Sequence, residues 1–223
     1  MGPVTQYSAV HLIPEAKVDP AKWSRIPSEQ VVVHTVQNIE KRGITVIRTE
    51  NAAEALAVLK NLIPPRAEVM NGSSTTLIEI GYEALLQSGE MAWVDQHGII
   101  TAASDDIQRA ELRRKSVSAD YFLSGVNAIA GTGELVSCDR TGSRVGAWPY
   151  AAGHLILVSG INKIVPTLPD ALQRVREYAY PLEDARAKRA YGVGSRIGKC
   201  VILANEEIER RIFLILINDS LGY

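Results

Sequence analysis

The sequence predicts an α/β protein: a three-layer sandwich around a mostly parallel sheet, with a terminal β-hairpin. Three observations point there. Short apolar runs alternate with stretches of helical periodicity, the pattern of βαβ units. Helix-starting and helix-stopping residues fall between those stretches. The 223 residues, 46% hydrophobic and 22% charged, are ordinary for a soluble globular domain long enough to bury a core.

Residues 1–27 read as an N-terminal arm packed on the body, and residues 28–223 as a single α/β domain. Pro3, Pro14, Pro20 and Pro27 interrupt the arm, while Leu12, Ile13 and Trp23 give it apolar contacts. Ser28 caps a helix in which Val32, Val36 and Ile39 recur at helical spacing, and Gly43 ends it. Ile44–Arg48 is a strand. Asn51 and Glu54 form a capping box for a helix with Leu56, Leu59 and Ile63 inward, stopped by Pro64–Pro65. Ala67–Met70 is a short strand that runs into Asn71-Gly72-Ser73-Ser74-Thr75-Thr76. A helix follows, with Leu77, Ile80, Ala84 and Leu85 on one face, ending near Gly89. Ser104 starts another, with Asp105 and Asp106 at its positive end and Arg113, Arg114 and Lys115 at its negative end. Tyr121–Leu123, Leu135–Cys138 and His154–Ser159 are apolar strands bounded by glycine. Thr167 and Asp170 box the start of a helix through Leu168, Leu172 and Val175. Residues 180–196, charged and glycine-containing, read as an extended crossing segment. Lys199–Ala204 and Ile212–Ile217 are strands that the intervening stretch NEEIER could join as a hairpin.

Composition excludes several function classes. Twenty-four Lys and Arg against 25 Asp and Glu give a net charge of −1. Such a chain has no general pull on nucleic acid or anionic lipid. No run reaches the ~18 apolar residues of a membrane span. The N-terminal residues have no signal-peptide pattern, so a cytoplasmic location is expected. Two distant cysteines (Cys138, Cys200) and four scattered histidines offer no metal site and suit a reduced compartment. Neither a G-x-G-x-x-G motif after the first strand nor a P-loop motif is present. No cofactor and no metal are expected.

In α/β folds ligands sit beyond the carboxyl ends of strands, so chemistry is sought in the loops there. Asn71, Gly72, Ser73, Ser74, Thr75 and Thr76 offer close backbone approach, hydroxyl donors and a helix N-terminus for an anion. The same residues also read as a plain helix cap, with Thr76 and Glu79 as a box. Gly125, Asn127, Gly131, Thr132, Gly133 and Glu134 form a glycine-rich segment. Glu134 there could serve as general base or covalent carboxylate, or merely follow a chain reversal. Lys163, after an apolar strand, could contact an anion at the same edge. Arg140 and Arg144 could hold carboxylate or phosphate bidentately. Cys138 reads as a small buried residue, and His154 as structural or, less simply, catalytic.

Three segments, NGSSTTLIEIG, ADYFLSGVNAIAGTGELV and HLILVSGINKIVPTLPDALQRV, together resemble the lactate-utilization (LUD) domain family. The resemblance spans about residues 28–178, and it implies a fold like the NagB/RpiA/CoA-transferase group. It also implies a link to lactate or related organic-acid utilization, binding of a small anionic metabolite, and iron–sulfur proteins as partners in an accessory role. Two further readings stay open. One is a stand-alone isomerase, transferase or ligase acting on a phosphorylated or CoA-linked substrate, with Glu134 catalytic. The other is a non-enzymatic regulatory or scaffold module, including a homodimer.

Overall fold

The structure, a computed structural model, describes residues 6–223. The first five residues of the expected arm, including Pro3, lie outside the described residues. The chain runs α1 (Ala9–Ala16), α2 (Pro20–Trp23), α3 (Glu29–Glu40), β1 (Thr45–Thr49), α4 (Ala52–Leu62), β2 (Glu68–Asn71), α5 (Thr75–Glu79) and α6 (Tyr82–Ser88). It continues through β3 (Val94–Asp95), α7 (Gln96–Thr101), α8 (Asp106–Lys115), β4 (Tyr121–Gly125), β5 (Ala128–Ala130) and β6 (Leu135–Asp139). Then follow β7 (His154–Gly160), β8 (Ile164–Val165), α9 (Leu168–Arg174), α10 (Tyr180–Tyr191), β9 (Lys199–Leu203) and β10 (Ile212–Ile217).

Six strands form a parallel sheet in the order β1-β10-β7-β4-β2-β3. Its central strands are apolar on both faces, as a doubly covered sheet requires. In β10 the alternation is explicit. Ile212, Leu214 and Leu216 join one core, with Phe122, Leu155 and Leu157. Phe213, Ile215 and Ile217 join the other, with Leu123, Ile156 and Val158. Helices α4, α5 and α6 cover the second face through Ala55, Leu59, Leu77 and Leu85.

The other face carries a refinement of the three-layer expectation. Helix α3 and a four-stranded sheet, ordered β8-β5-β6-β9, cover it together. The small sheet is itself backed by α1, α2, α9 and α10, through Leu12, Trp23, Ala171 and Leu182.

The expected terminal hairpin does not form. Strand β9 pairs antiparallel with β6, whereas β10 lies in the large sheet between β1 and β7. The eight residues between them cross from one sheet to the other. The expected extended segment at 180–196 is also corrected. Helix α10 occupies its first two thirds, burying Leu182, Ala185, Arg186 and Ala187. The arm packs on the body but holds two helices, because Pro14 sits inside α1 and Pro20 at the start of α2. One expected helix is two: Gly81, at φ 89°, breaks α5 from α6.

Candidate functional site

Three neighbouring strands, β7, β4 and β2, end at one edge of the large sheet. The segments after them meet there around a cavity of about 670 Å³. Asn71 to Thr76 come from the end of β2 and from α5, Gly125 to Asn127 from β4, and Lys163 from the turn after β7. Of the expected segments, Asn71–Thr76, Gly125 with Asn127, and Lys163 come together here, whereas the Gly131–Glu134 part of the second does not.

Close contact between them depends on two glycines. A Cβ on Gly125 would lie 2.4 Å from Ser74 Oγ, so only a bare α-carbon lets β4 meet the Ser74 loop. A Cβ on Gly72 would lie 2.5 Å from Cδ of Arg144, whose stem crosses that backbone. The Ser74 hydroxyl accepts from Leu77 N–H at 3.3 Å and caps α5. Thr76, expected to form that cap with Glu79, does something else: its hydroxyl accepts from Lys163 Nζ at 2.8 Å. Glu79 instead accepts from Gly222 N–H at 2.6 Å.

Charge at the inner end comes from side chains. Helix α5 has five residues, too short to supply much dipole. Arg144 provides a guanidinium whose Nη1 donates to Ser124 Oγ (3.4 Å) and Gly125 O (3.0 Å). Its Nη2 donates to Asn127 Oδ1 (3.2 Å) and Cys138 O (2.5 Å). All four acceptors are neutral, and Nε has no hydrogen-bond partner among the described residues. The loop that delivers Arg144 is built by Asp139, whose carboxylate accepts from the backbone N–H groups of Gly142, Arg144 and Val145.

Lys163 is 1% exposed and donates to Thr76 Oγ1 and, at 3.0 Å, to Val126 O. Burial, with Arg174 and Arg144 nearby, pulls its ammonium down to about 7, against the smaller opposing pull of Glu79. Among the described residues, neither Arg144 nor Lys163 has a carboxylate partner. Asn71 adds a buried Oδ1 with no hydrogen-bond partner among the described residues.

The outer end is also basic. Arg109 and Arg113 of α8, Arg140, Arg186 and Arg196 line it. Arg109 pairs with Asp106, and Arg186 with Glu183 at 2.7 Å. Among the described residues, Arg113, Arg140 and Arg196 have no ion pair. Seven Lys and Arg line the cavity against two carboxylates, Asp139 and Glu183. That imbalance sits in a chain with a net charge of −1.

Four expected residues are elsewhere. Gly131, Thr132, Gly133 and Glu134 form the turn between β5 and β6 of the small sheet and do not line the cavity. They dock on α3 instead: Asn38 Nδ2 donates to Gly131 O at 2.8 Å, and Arg42 Nε to Thr132 O at 3.0 Å. Glu134 is tied to Arg42 Nη2 at 2.6 Å and accepts from the Thr132 hydroxyl. The stand-alone enzyme reading needs Glu134 in the cavity, and its position on Arg42 corrects that expectation. His154 stacks on Tyr121, with centroids 4.6 Å apart, at the strand ends away from the cavity. Burial pushes the Cys138 thiol up to about 11, which leaves little of it as thiolate at neutral pH.

A family model of the LUD domain matches residues 32–199. The chain belongs to the LUD domain family. That family is associated with lactate utilization in general, and the matched span contains every cavity residue named here apart from the C-terminal contacts. The fold is similar to the crystal structure of a DUF162 family protein from Deinococcus radiodurans, with a TM-score of 0.50 and 16% sequence identity. That comparison covers 86% of this LUD domain protein and 100% of the other chain. Among curated proteins, no sequence matches it. No helix among the described residues is long and apolar enough to cross a membrane.

Proposed function

We propose that this LUD domain protein binds a small organic anion of the lactate and 2-oxo-acid type at the inner end of the strand-end cavity. The observation that carries the reading is the pair of cations, Arg144 and Lys163, held there without a carboxylate. Burying an unpaired charge costs several kcal/mol. A ligand carboxylate offsets that cost by supplying the missing partner. Arg144 directs Nε–H, Lys163 adds charge, and the hydroxyls of Ser74 and Thr75 add donors. Asn71 Oδ1 accepts from a ligand hydroxyl. These residues bind and orient the anion, and Glu134 takes no part.

The test is thermal denaturation with L-lactate, pyruvate and inorganic phosphate at constant ionic strength. A ligand at 100 times its dissociation constant stabilises the fold by about 2.7 kcal/mol. Lactate or pyruvate should raise the melting temperature of the wild type and leave Arg144→Lys, which keeps the charge but loses the fork, nearly unmoved. No shift with either acid, or an equal shift in the variant, would refute the reading.

A further inference from the structure

The cavity is too large for a three-carbon acid. At about 30 Å³ per heavy atom, such an acid fills roughly a quarter of it. Its total of about 670 Å³ is in the range that encloses drug-sized ligands. The Asp139–Arg144 loop divides the charge along it. Arg144 turns inward to Asn127, while Arg140 turns outward, donating to Gly194 O at 3.3 Å. Arg113 reaches the same loop at Ser143 Oγ, 3.4 Å away. With Arg196, these three guanidiniums stand at the outer end, and among the described residues none of them has an ion pair. Planar guanidinium forks match phosphate oxygens bidentately.

Resting on the reading above, we propose that the natural ligand is a phosphorylated or diphosphate-linked organic acid. Its acid end lies at Arg144 and its phosphates lie on Arg113, Arg140 and Arg196. Two anionic groups joined by a linker bind more tightly than either alone, because the second engages at high effective concentration.

Calorimetry with pyruvate and inorganic pyrophosphate as separate probes tests the division. Both should bind the wild type, and each should still bind when the other is saturating. The double variant Arg113→Ala, Arg140→Ala should lose at least tenfold in pyrophosphate affinity and keep pyruvate affinity within twofold. Mutual exclusion of the two probes, or unchanged pyrophosphate affinity in the double variant, would overturn the two-ended site. Failure of pyruvate to bind at all, with pyrophosphate still bound through Arg113 and Arg140, would instead overturn the inner-site reading.

A different observation carries a second inference. Cys138 of β6 and Cys200 of β9 are direct partners across an antiparallel pair. The Cys138 N–H donates to Asn127 Oδ1 and its C=O accepts from Arg144, so both main-chain groups point away from β9. The two cysteines therefore occupy a non-hydrogen-bonded pair, where α-carbons are about 4.5 Å apart and side chains are closest. That spacing lies inside the range of about 4.4–6.8 Å that disulfides span. Both thiols are free, and Cys200 is exposed. We infer that Cys138 and Cys200 form a reversible disulfide that ties the cavity wall to β9.

With glutathione disulfide as oxidant, the exposed Cys200 thiolate attacks one glutathione sulfur and releases a glutathione thiolate. Cys138 then attacks the Cys200 sulfur and releases the second glutathione. Two protein thiols lose two protons and two electrons, and one glutathione disulfide becomes two glutathione thiols. Burial raises both thiols above the ordinary cysteine range, so the exchange is slow at neutral pH and faster in mild alkali. Incubation with glutathione disulfide at mildly alkaline pH, followed by peptide mapping, should recover the Cys138–Cys200 cross-link, absent in Cys200→Ser. A stable mixed disulfide at Cys200, or two cysteines that stay open to alkylation, would overturn it.

Discussion

Replacing Lys163 with Met should change how stability responds to pH. The ordinary lysine value is 10.5, and in the folded protein Lys163 stands at about 7. Between those two values the unfolded chain holds one proton that the native chain does not. Stability therefore rises with pH across that window. The burial penalty is fully felt below pH 7 and disappears above about 10.5. Integrated from pH 7 to about 9, the lysine contributes a gain of about 2 kcal/mol. Other groups titrate in the same range, notably the cysteines and tyrosines, so the comparison is between wild type and variant. Urea denaturation at both pH values gives the two differences. The wild type should gain about 2 kcal/mol more than Lys163→Met on going to the higher pH. Met keeps the length and apolar stem, and the constant cost of losing the bonds to Thr76 and Val126 cancels in the difference. Parallel pH dependences would refute the claim that burial outweighs the pull of Glu79 on the Lys163 ammonium. A saturating organic anion should flatten the wild-type slope by stabilising the ammonium.

Three further outcomes follow from the geometry. Gly125→Ala pushes a methyl against Ser74 Oγ, and it should cost about 1–3 kcal/mol in urea denaturation and weaken pyruvate binding in calorimetry. Glu134→Gln breaks the tie to Arg42 and should lower stability by about 1–3 kcal/mol, while pyruvate affinity in calorimetry stays at the wild-type value. Leu12→Ala empties a fully buried position under the N-terminal helices, and should cost about 2–5 kcal/mol by thermal denaturation.

The large sheet was legible because its strands are buried on both faces. A run such as Ile212–Ile217 has no polar position to mislead, and periodicity marks the intervening helices. The site was legible in part for the same reason. The rule that ligands lie beyond strand ends selected Asn71–Thr76, Gly125, Asn127 and Lys163, and these meet. The rule failed at Gly131–Glu134 because turn signals do not say which sheet a strand joins. That turn belongs to the small sheet and faces α3. The hairpin failed likewise, since a short, mostly charged stretch can close two strands or carry the chain between sheets. Helix α10 was hidden by its charges, which Arg186 satisfies on Glu183 while Ala185 and Ala187 go inward. Arg140 and Arg144 were visible as a pair, but their opposite directions depend on the Asp139 carboxylate gathering three backbone N–H groups. The cysteines, 62 positions apart in the chain, become partners only through the β6–β9 register.

The most direct test is a crystal structure of the protein grown with saturating pyruvate. The account predicts the acid's carboxylate against Arg144 Nε, within reach of Lys163 and the Ser74 and Thr75 hydroxyls. Pyruvate bound on another surface, with Arg144 still turned only to its four neutral acceptors, would contradict it.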